Sequence, residues 1–364
     1  MPDETPDIDL MLITGAGAST KLGGNGQDLP LMSDWSNIIT ERLLQSPPYL
    51  DLVGLERDLS GPEFEERLGL FLEAAAALDH MTPVLLPSAG LPWPQPSVGT
   101  QPNDSVLKEW HRNTRQHCQQ ALKMIRASLD DAFGANKIYP QGATDAYGRL
   151  LQALGVTSNT RFVFATTNYD VSAEIALDRL GYRPDWGESA SPLGNFPERE
   201  LRVDGILDGL PRSIPVLHLH GRVNWLLRTD GAAVATGAYQ ESSPDDQGIP
   251  IAMLPHINKD YESDSVLSSL WRSFRQALAR SHRVFILGHS LNDAELVAEI
   301  VGAFPQGERV GISFRGDTDR PAVFDSPEHE ERIAKSFPKA HLVPLEFGPD
   351  PVFPGAQIGA WRES

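Results

Sequence analysis

The sequence predicts an α/β fold: a doubly wound, mostly parallel, Rossmann-like sheet with an inserted helical module. Three observations predict it. Short apolar runs alternate with helix-period segments from residue 144 onward, the pattern of strand–helix–strand units. The first apolar run, Asp9 to Thr14 (DLMLIT), leads straight into Gly15-Ala16-Gly17-Ala18-Ser19, as a buried parallel strand ending in a turn does. Residues 40–140, by contrast, show helical spacing without good strands.

The elements follow in order. Asp34–Gln45 (DWSNIITERLLQ) reads as a helix, and Phe64, Leu68, Phe71, Leu72, Ala75 and Leu78 keep helical spacing. Pro83 to Pro102 carries six prolines and reads as irregular. Leu107, Trp110, Cys118, Ala121, Leu122, Ile125 and Leu129 mark a long helix from Ser105 to Phe133, with Gly134 as its stop. A helix at Thr144–Leu154 precedes a strand at Arg161–Thr166, and a further helix begins near Val171. Later strands are expected at Ile214–Leu219, Ile249–Leu254, Arg283–Leu287, Arg309–Phe314 and His341–Phe347, with helices at Asp264–Ala279 and Asp293–Ala303. Trp225–Ala235, with Asp230-Gly231 in its middle, suits a hairpin. The expected organisation is a sheet domain from residues 1–39 and 141–350, a helical module at 40–140, and a spare, proline-rich tail at 351–364.

Composition bounds the function. The chain has 364 residues, 40% of them hydrophobic and 22% charged, which is ordinary for a globular protein. A net charge of −18 with no basic patch repels phosphate backbones, so direct nucleic-acid binding is not expected. The single cysteine, Cys118, excludes an internal disulfide and a four-cysteine zinc module. The opening MPDETPDIDL lacks a basic segment followed by an apolar one, and no apolar run approaches the roughly 18 residues of a membrane span. A cytoplasmic protein without membrane attachment is therefore expected.

Four motifs carry chemistry, each after a strand. Gly15, Ala16, Gly17 and Ser19 form a turn whose glycines let the backbone approach a pyrophosphate, with N–H groups to hold it. Thr20 stands where a dinucleotide fingerprint has its third glycine, so a tight strand-to-loop turn is the alternative. Thr167-Asn168-Tyr169-Asp170 falls at the carboxyl edge of the sheet, where open α/β sheets bind ligands; capping of the next helix by Asn168 or Asp170 is the alternative. In His218-Leu219-His220-Gly221 a period of two puts both histidines on one face. No third metal ligand accompanies them, and His220 is better placed as a general base. Gly288-His289-Ser290-Leu291-Asn292-Asp293 follows the run VFIL and reads both as a helix cap and as an anion site.

The order GAGxS, TxNxD, HG and GxSxxD resembles the sirtuin-like family, and within it the sirtuin-like NAD hydrolases of prokaryotic antiviral defence, closest to the HerA-associated type. His220-Gly221-Arg222-Val223-Asn224-Trp225 is similar to that branch's HGxxxW, and Ile251–Lys259 (IAMLPHINK) to its strand–Pro–Lys segment. The resemblance spans residues 9–315. It implies an NAD⁺ glycohydrolase that releases nicotinamide and ADP-ribose, with NAD as substrate. Asn168 would hold the ribose and the attacking water, and His220 would act as the base. Thr167 and Asp170 would line the nicotinamide end, with Asp170 at the carboxamide. Gly15, Ala16, Gly17, Ser19, Gly288 and Ser290 would line the phosphates and adenosine ribose.

Thr167 replaces the glutamine of protein deacylases, and no zinc ribbon is encoded, so neither zinc nor deacylation is expected. His289 stands where Tyr or Thr is the family's residue. The rival readings are a silent NAD or ADP-ribose binding module, a zinc-free deacylase and an ordinary dehydrogenase. The resemblance also implies a homo-oligomeric defence effector that depletes NAD. It would be controlled by a separate sensor, a HerA-type ATPase ahead of an Argonaute-like protein.

Overall fold

The computed structural model describes residues 8–30, 32–45, 53–55, 59, 61–80, 104–187, 198–208, 212–228, 232–236, 248–252, 265–314, 327–345, 347–351 and 355–363. The proline-rich stretch, the Asp230-Gly231 turn and most of Ile251–Lys259 lie outside them.

The main sheet is built from β1 (Leu10–Thr14), β2 (Phe162–Thr166), β3 (Arg183–Asp185), β5 (Ser213–His218), β9 (Val284–Leu287), β10 (Val310–Phe314) and β11 (His341–Pro344). Its order is β11-β10-β9-β1-β2-β5-β3, and all its pairings are parallel. Leaving aside the edge strand β3, this is the doubly wound order in which the chain starts at the centre, builds outward, then returns to the other side of β1. The direction reverses between β1 and β9.

Both faces of the sheet are buried, which is why its strands read as continuous apolar runs. Met11, Ile13, Val163, Ala165, Val284 and Ile286 face one core. There they pack against α6 (Ser265–Ala279), α7 (Ala294–Ala303) and α8 (Pro327–Ser336). Leu10, Leu12, Phe162, Phe164, Phe285 and Leu287 face the other. Its helices are α4 (Pro140–Ala153), α5 (Ser172–Arg179) and α9 (Gly355–Glu363). The expected spare tail is thus a helix in the core. Ile358 and Trp361 are buried against the sheet, and the Trp361 indole N–H donates to Arg309 O.

A second sheet, antiparallel, has the order β4-β7-β6-β8, from β4 (Glu198–Glu200), β6 (Gly221–Arg228), β7 (Ala233–Thr236) and β8 (Gly248–Ala252). It contains the hairpin expected at Trp225–Ala235. It also takes the strand expected at Ile249–Leu254, which pairs with β6 and not with the parallel sheet.

The helical module is α1 (Met32–Leu44), α2 (Gly61–His80) and α3 (Asp104–Phe133). Trp35 stands at its centre, edge-on to Phe64 and Phe133, with its indole N–H donating to Ser128 Oγ. The same core takes in Tyr169 and Val223, so the module rests on the loops that carry the motifs.

Candidate functional site

All four motifs emerge at the carboxyl ends of the central strands β9, β1, β2 and β5. The β1 turn and the β9 turn meet at the switch point. Gly17 N–H donates to Gly288 O at 2.9 Å, and Gly15 N–H to Leu287 O at 3.0 Å. A Cβ on Gly15 would stand 2.7 Å from His289 Cα, and one on Gly288, whose φ is +60°, 2.3 Å from Ala18 N. The glycines are therefore required by the approach of one loop to the other. The N–H groups of Gly15, Gly17, Ala18 and Ser19 all donate to protein carbonyls. Ala16 and Gly17 remain exposed beside them, as does Ser290 on the second loop. Arg332 of α8 fixes that loop by donating to Ser290 O and Asn292 Oδ1. His289 is buried and accepts from Leu291 N–H at 2.8 Å, which holds Leu291 at a φ of +55°.

Asn168 is buried at the end of β2. Its amide Nδ2 donates to Ser19 Oγ at 3.1 Å, and its backbone N–H to Thr166 Oγ1 at 3.0 Å. Its Oδ1 has no hydrogen-bond partner among the described residues. A buried acceptor left open in this way is costly unless a ligand or water meets it. Thr167 is tied to β1 through its N–H and hydroxyl, both directed to Thr14 O. Asp170 is turned to α5, where Oδ1 accepts from Ser172 N–H at 2.9 Å. Burial, and then the Asp170 charge, push the Tyr147 phenol upward. Asp170 thus closes a turn just ahead of α5, whose N-cap position is Val171.

His220 Nε2 lies 3.0 Å from Asp293 Oδ2. Asp293 is also the N-cap of α7, with Oδ1 accepting from Leu296 N–H. One carboxylate thus starts a helix with one oxygen and orients His220 with the other. The expectation that His218 and His220 share a face is overturned. β5 ends at His218, Leu219 and His220 form a turn, and the alternation of a strand stops there. His218 is fully buried, with Nε2 2.7 Å from Glu174 Oε1 and Nδ1 3.3 Å from Asn168 O. Arg222 Nε stands 3.0 Å from the same Glu174 oxygen, and its guanidinium covers the Trp186 ring. Burial raises the Glu174 carboxyl, but His218 and Arg222 together outweigh it and bring it down to about 2.

The HGxxxW motif is divided between three tasks. His220 faces Asp293, Arg222 faces Glu174, and Trp225 packs edge-on against His218 at 5.5 Å. Glu174 and the pairing of His220 with Asp293 were not legible as site features, although Asp293 itself closes the GxSxxD motif. Among the described residues no group of three His, Cys, Asp or Glu side chains could hold a metal ion. No described helix is long and apolar enough to cross a membrane. A cavity of about 270 Å³ lies at the opposite edge of the sheet, between Asp9, Thr160, Arg283 and Trp361, and touches none of these motifs.

Fold and site together define a doubly wound α/β protein whose polar, chemistry-bearing residues gather at the switch-point edge. No protein-family model matches the chain, and no curated protein matches it. Among solved structures it is similar to Sir2Tm bound to a propionylated peptide, at 15% identity and a TM-score of 0.34 over 92% of this chain and 95% of that one. A structure described as the structural basis for sirtuin substrate affinity gives 14% and 0.34, covering 92% and 95%. A Sir2–p53 peptide–NAD⁺ complex gives 13% and 0.32, covering 90% and 93%.

Proposed function

We propose that the protein is an NAD⁺ glycohydrolase, cleaving the bond between nicotinamide and ribose. The observation that carries the reading is the placement of Asn168 and His220. Thr166 and His218 are register partners on the neighbouring strands β2 and β5, and Asn168 and His220 each follow two residues later. The switch point between β1 and β9 lies two strand spacings away, about 10 Å. That separation suits a dinucleotide laid along the sheet edge, its phosphates near Ala16, Gly17 and Ser290 and its nicotinamide end over β2 and β5. The motif order agrees.

The chemistry asks little of the protein at the leaving group. The C1′–N bond breaks with its electron pair passing to the pyridinium nitrogen, so nicotinamide leaves neutral. The ribose that remains is oxocarbenium-like and must be met by water. Asn168 Oδ1, open to accept, holds that water or a ribose hydroxyl. His220, its ring oriented by the Asp293 carboxylate, accepts the proton as water adds. Thr167 lies beside them.

By the same resemblance we propose that the enzyme is a defence effector that depletes NAD. It would work as a homo-oligomer and respond to a partner protein, a HerA-type ATPase ahead of an Argonaute-like protein. The net charge of −18 supports a sensor distinct from this chain. The test is incubation with NAD⁺ at a series of protein concentrations, with chromatographic detection of nicotinamide. Release of nicotinamide that Asn168→Ala abolishes supports the reading. Tight binding of NAD⁺ or ADP-ribose without release, under every condition of assembly, replaces it with a silent binding module.

A further inference from the structure

Glu174 takes no direct part in the proposed reaction, yet it sits at the centre of the most heavily buried charge cluster beside the site. Its side chain and those of His218 and Arg222 are each 5% exposed or less. Both ring nitrogens of His218 face oxygen acceptors, so the two contacts are both hydrogen bonds only when each nitrogen carries a proton, and a single carboxylate oxygen serves His218 and Arg222 alike. Such burial is weak as a source of stability, because desolvation offsets most of the attraction and an apolar cluster of equal volume does as well. A fixed geometry is what an ionic cluster supplies and an apolar one does not. Here the geometry has a definite end: the ring held by Glu174 through Nε2 reaches Asn168 O through Nδ1. Asn168 is then held at its carbonyl by His218, at its N–H by Thr166, and at its amide by Ser19, with Oδ1 alone left open.

We infer that Glu174 is a positioning residue for Asn168, acting through His218, with Arg222 holding the carboxylate in place. The inference rests on the proposed role of Asn168. Glu174 lies in the first turn of α5, whose first residue, Ser172, donates its N–H to Asp170, so the loop from Thr167 to Val171 is tied to β1 at one end and to that helix at the other. Arg222 belongs to β6, two residues after His220, and carries the fixation across to the strand that follows His220. The two halves of the site are thereby set relative to each other by a side chain that touches no substrate.

The test compares Glu174→Gln with Leu177→Ala, a core truncation on the same helix with no link to Asn168. Glu174→Gln is expected to lower kcat by about 10–100-fold, the range for a small misplacement, with KM within about twofold. It should also shift the Asn168 side-chain amide resonance, assigned by its loss in Asn168→Asp. Leu177→Ala should lower the melting temperature and leave kcat and that resonance in place. The resonance needs no turnover, so it judges the positioning even if the chain proves not to cleave NAD⁺. Should Glu174→Gln fail to fold, His218→Gln makes the same comparison from the other side of the contact. A folded variant with an unmoved Asn168 resonance overturns the inference. So does a kcat loss that Leu177→Ala reproduces at equal stability.

Discussion

His218 and His220 are two residues apart and have opposite fates. The first closes a strand, is fully buried, and has both ring nitrogens directed at protein acceptors. The second lies past the strand end, keeps 12% of its side chain exposed, and has one nitrogen oriented by Asp293. Their partners come from helices on opposite faces of the sheet, α5 for His218 and α7 for His220. The difference shows how a strand terminus separates fixation from chemistry. The last regular residue is enclosed by the layers, and the first irregular one reaches the edge where a ligand can meet it. A base needs a ring that a partner orients and that is not wholly enclosed, and the role proposed for His220 fits that contrast.

The largest expected effect follows from this contrast. His220→Ala should reduce NAD⁺ cleavage by about 10²–10⁴-fold while far-UV circular dichroism and melting stay near those of the parent. A folded variant with full turnover would move the chemistry elsewhere along the sheet edge. Next in size is Asp293→Asn. The amide keeps an oxygen to cap α7, so stability should change little. The carboxylate that orients the histidine is lost, and kcat should fall about tenfold or more. Asp293→Ala separates the two duties further, adding a destabilisation of about 1 kcal/mol from the lost cap, measurable by urea unfolding. If both variants keep full turnover and only Asp293→Ala loses stability, Asp293 serves the helix alone.

The central fold was legible because both faces of the sheet are covered. Continuous apolar runs such as VFIL and FVFAT leave few alternatives to buried parallel strands. The helix at Gly355–Glu363 was not legible, since its contribution to the core rests on two side chains, Ile358 and Trp361, in a proline-bounded segment. The strand at Gly248–Ala252 was legible as a strand but not as a member of the second sheet, because an apolar run does not name its neighbour. At the site, the positions of Asn168 and His220 at strand ends could be read. Glu174 could not: it is 44 residues from His218 and lies on a short helix whose pattern gives it no reason to turn inward. The glycines were read correctly as sites of close approach, but what approaches them is the opposite loop.

The smallest effect concerns stability in acid and tests the enclosed side of the comparison. Glu174 titrates at about 2 in the folded chain, against an ordinary value of 4.5, because His218 and Arg222 outweigh its burial. Between those values the unfolded chain holds a proton that the folded chain does not. Stability from this carboxylate is therefore complete above about pH 4.5 and declines as pH falls toward about 2. Other carboxylates contribute to the same decline, so the informative quantity is the difference between the parent and Glu174→Gln in urea unfolding at a series of pH values. The margin by which the parent exceeds the variant should narrow steadily as pH falls below 4.5. An exposed acid loses its proton equally in the folded and unfolded states, and its margin would not depend on pH. A margin of that kind would place the Glu174 charge in solvent contact and remove the basis for calling the His218 side of the strand end enclosed.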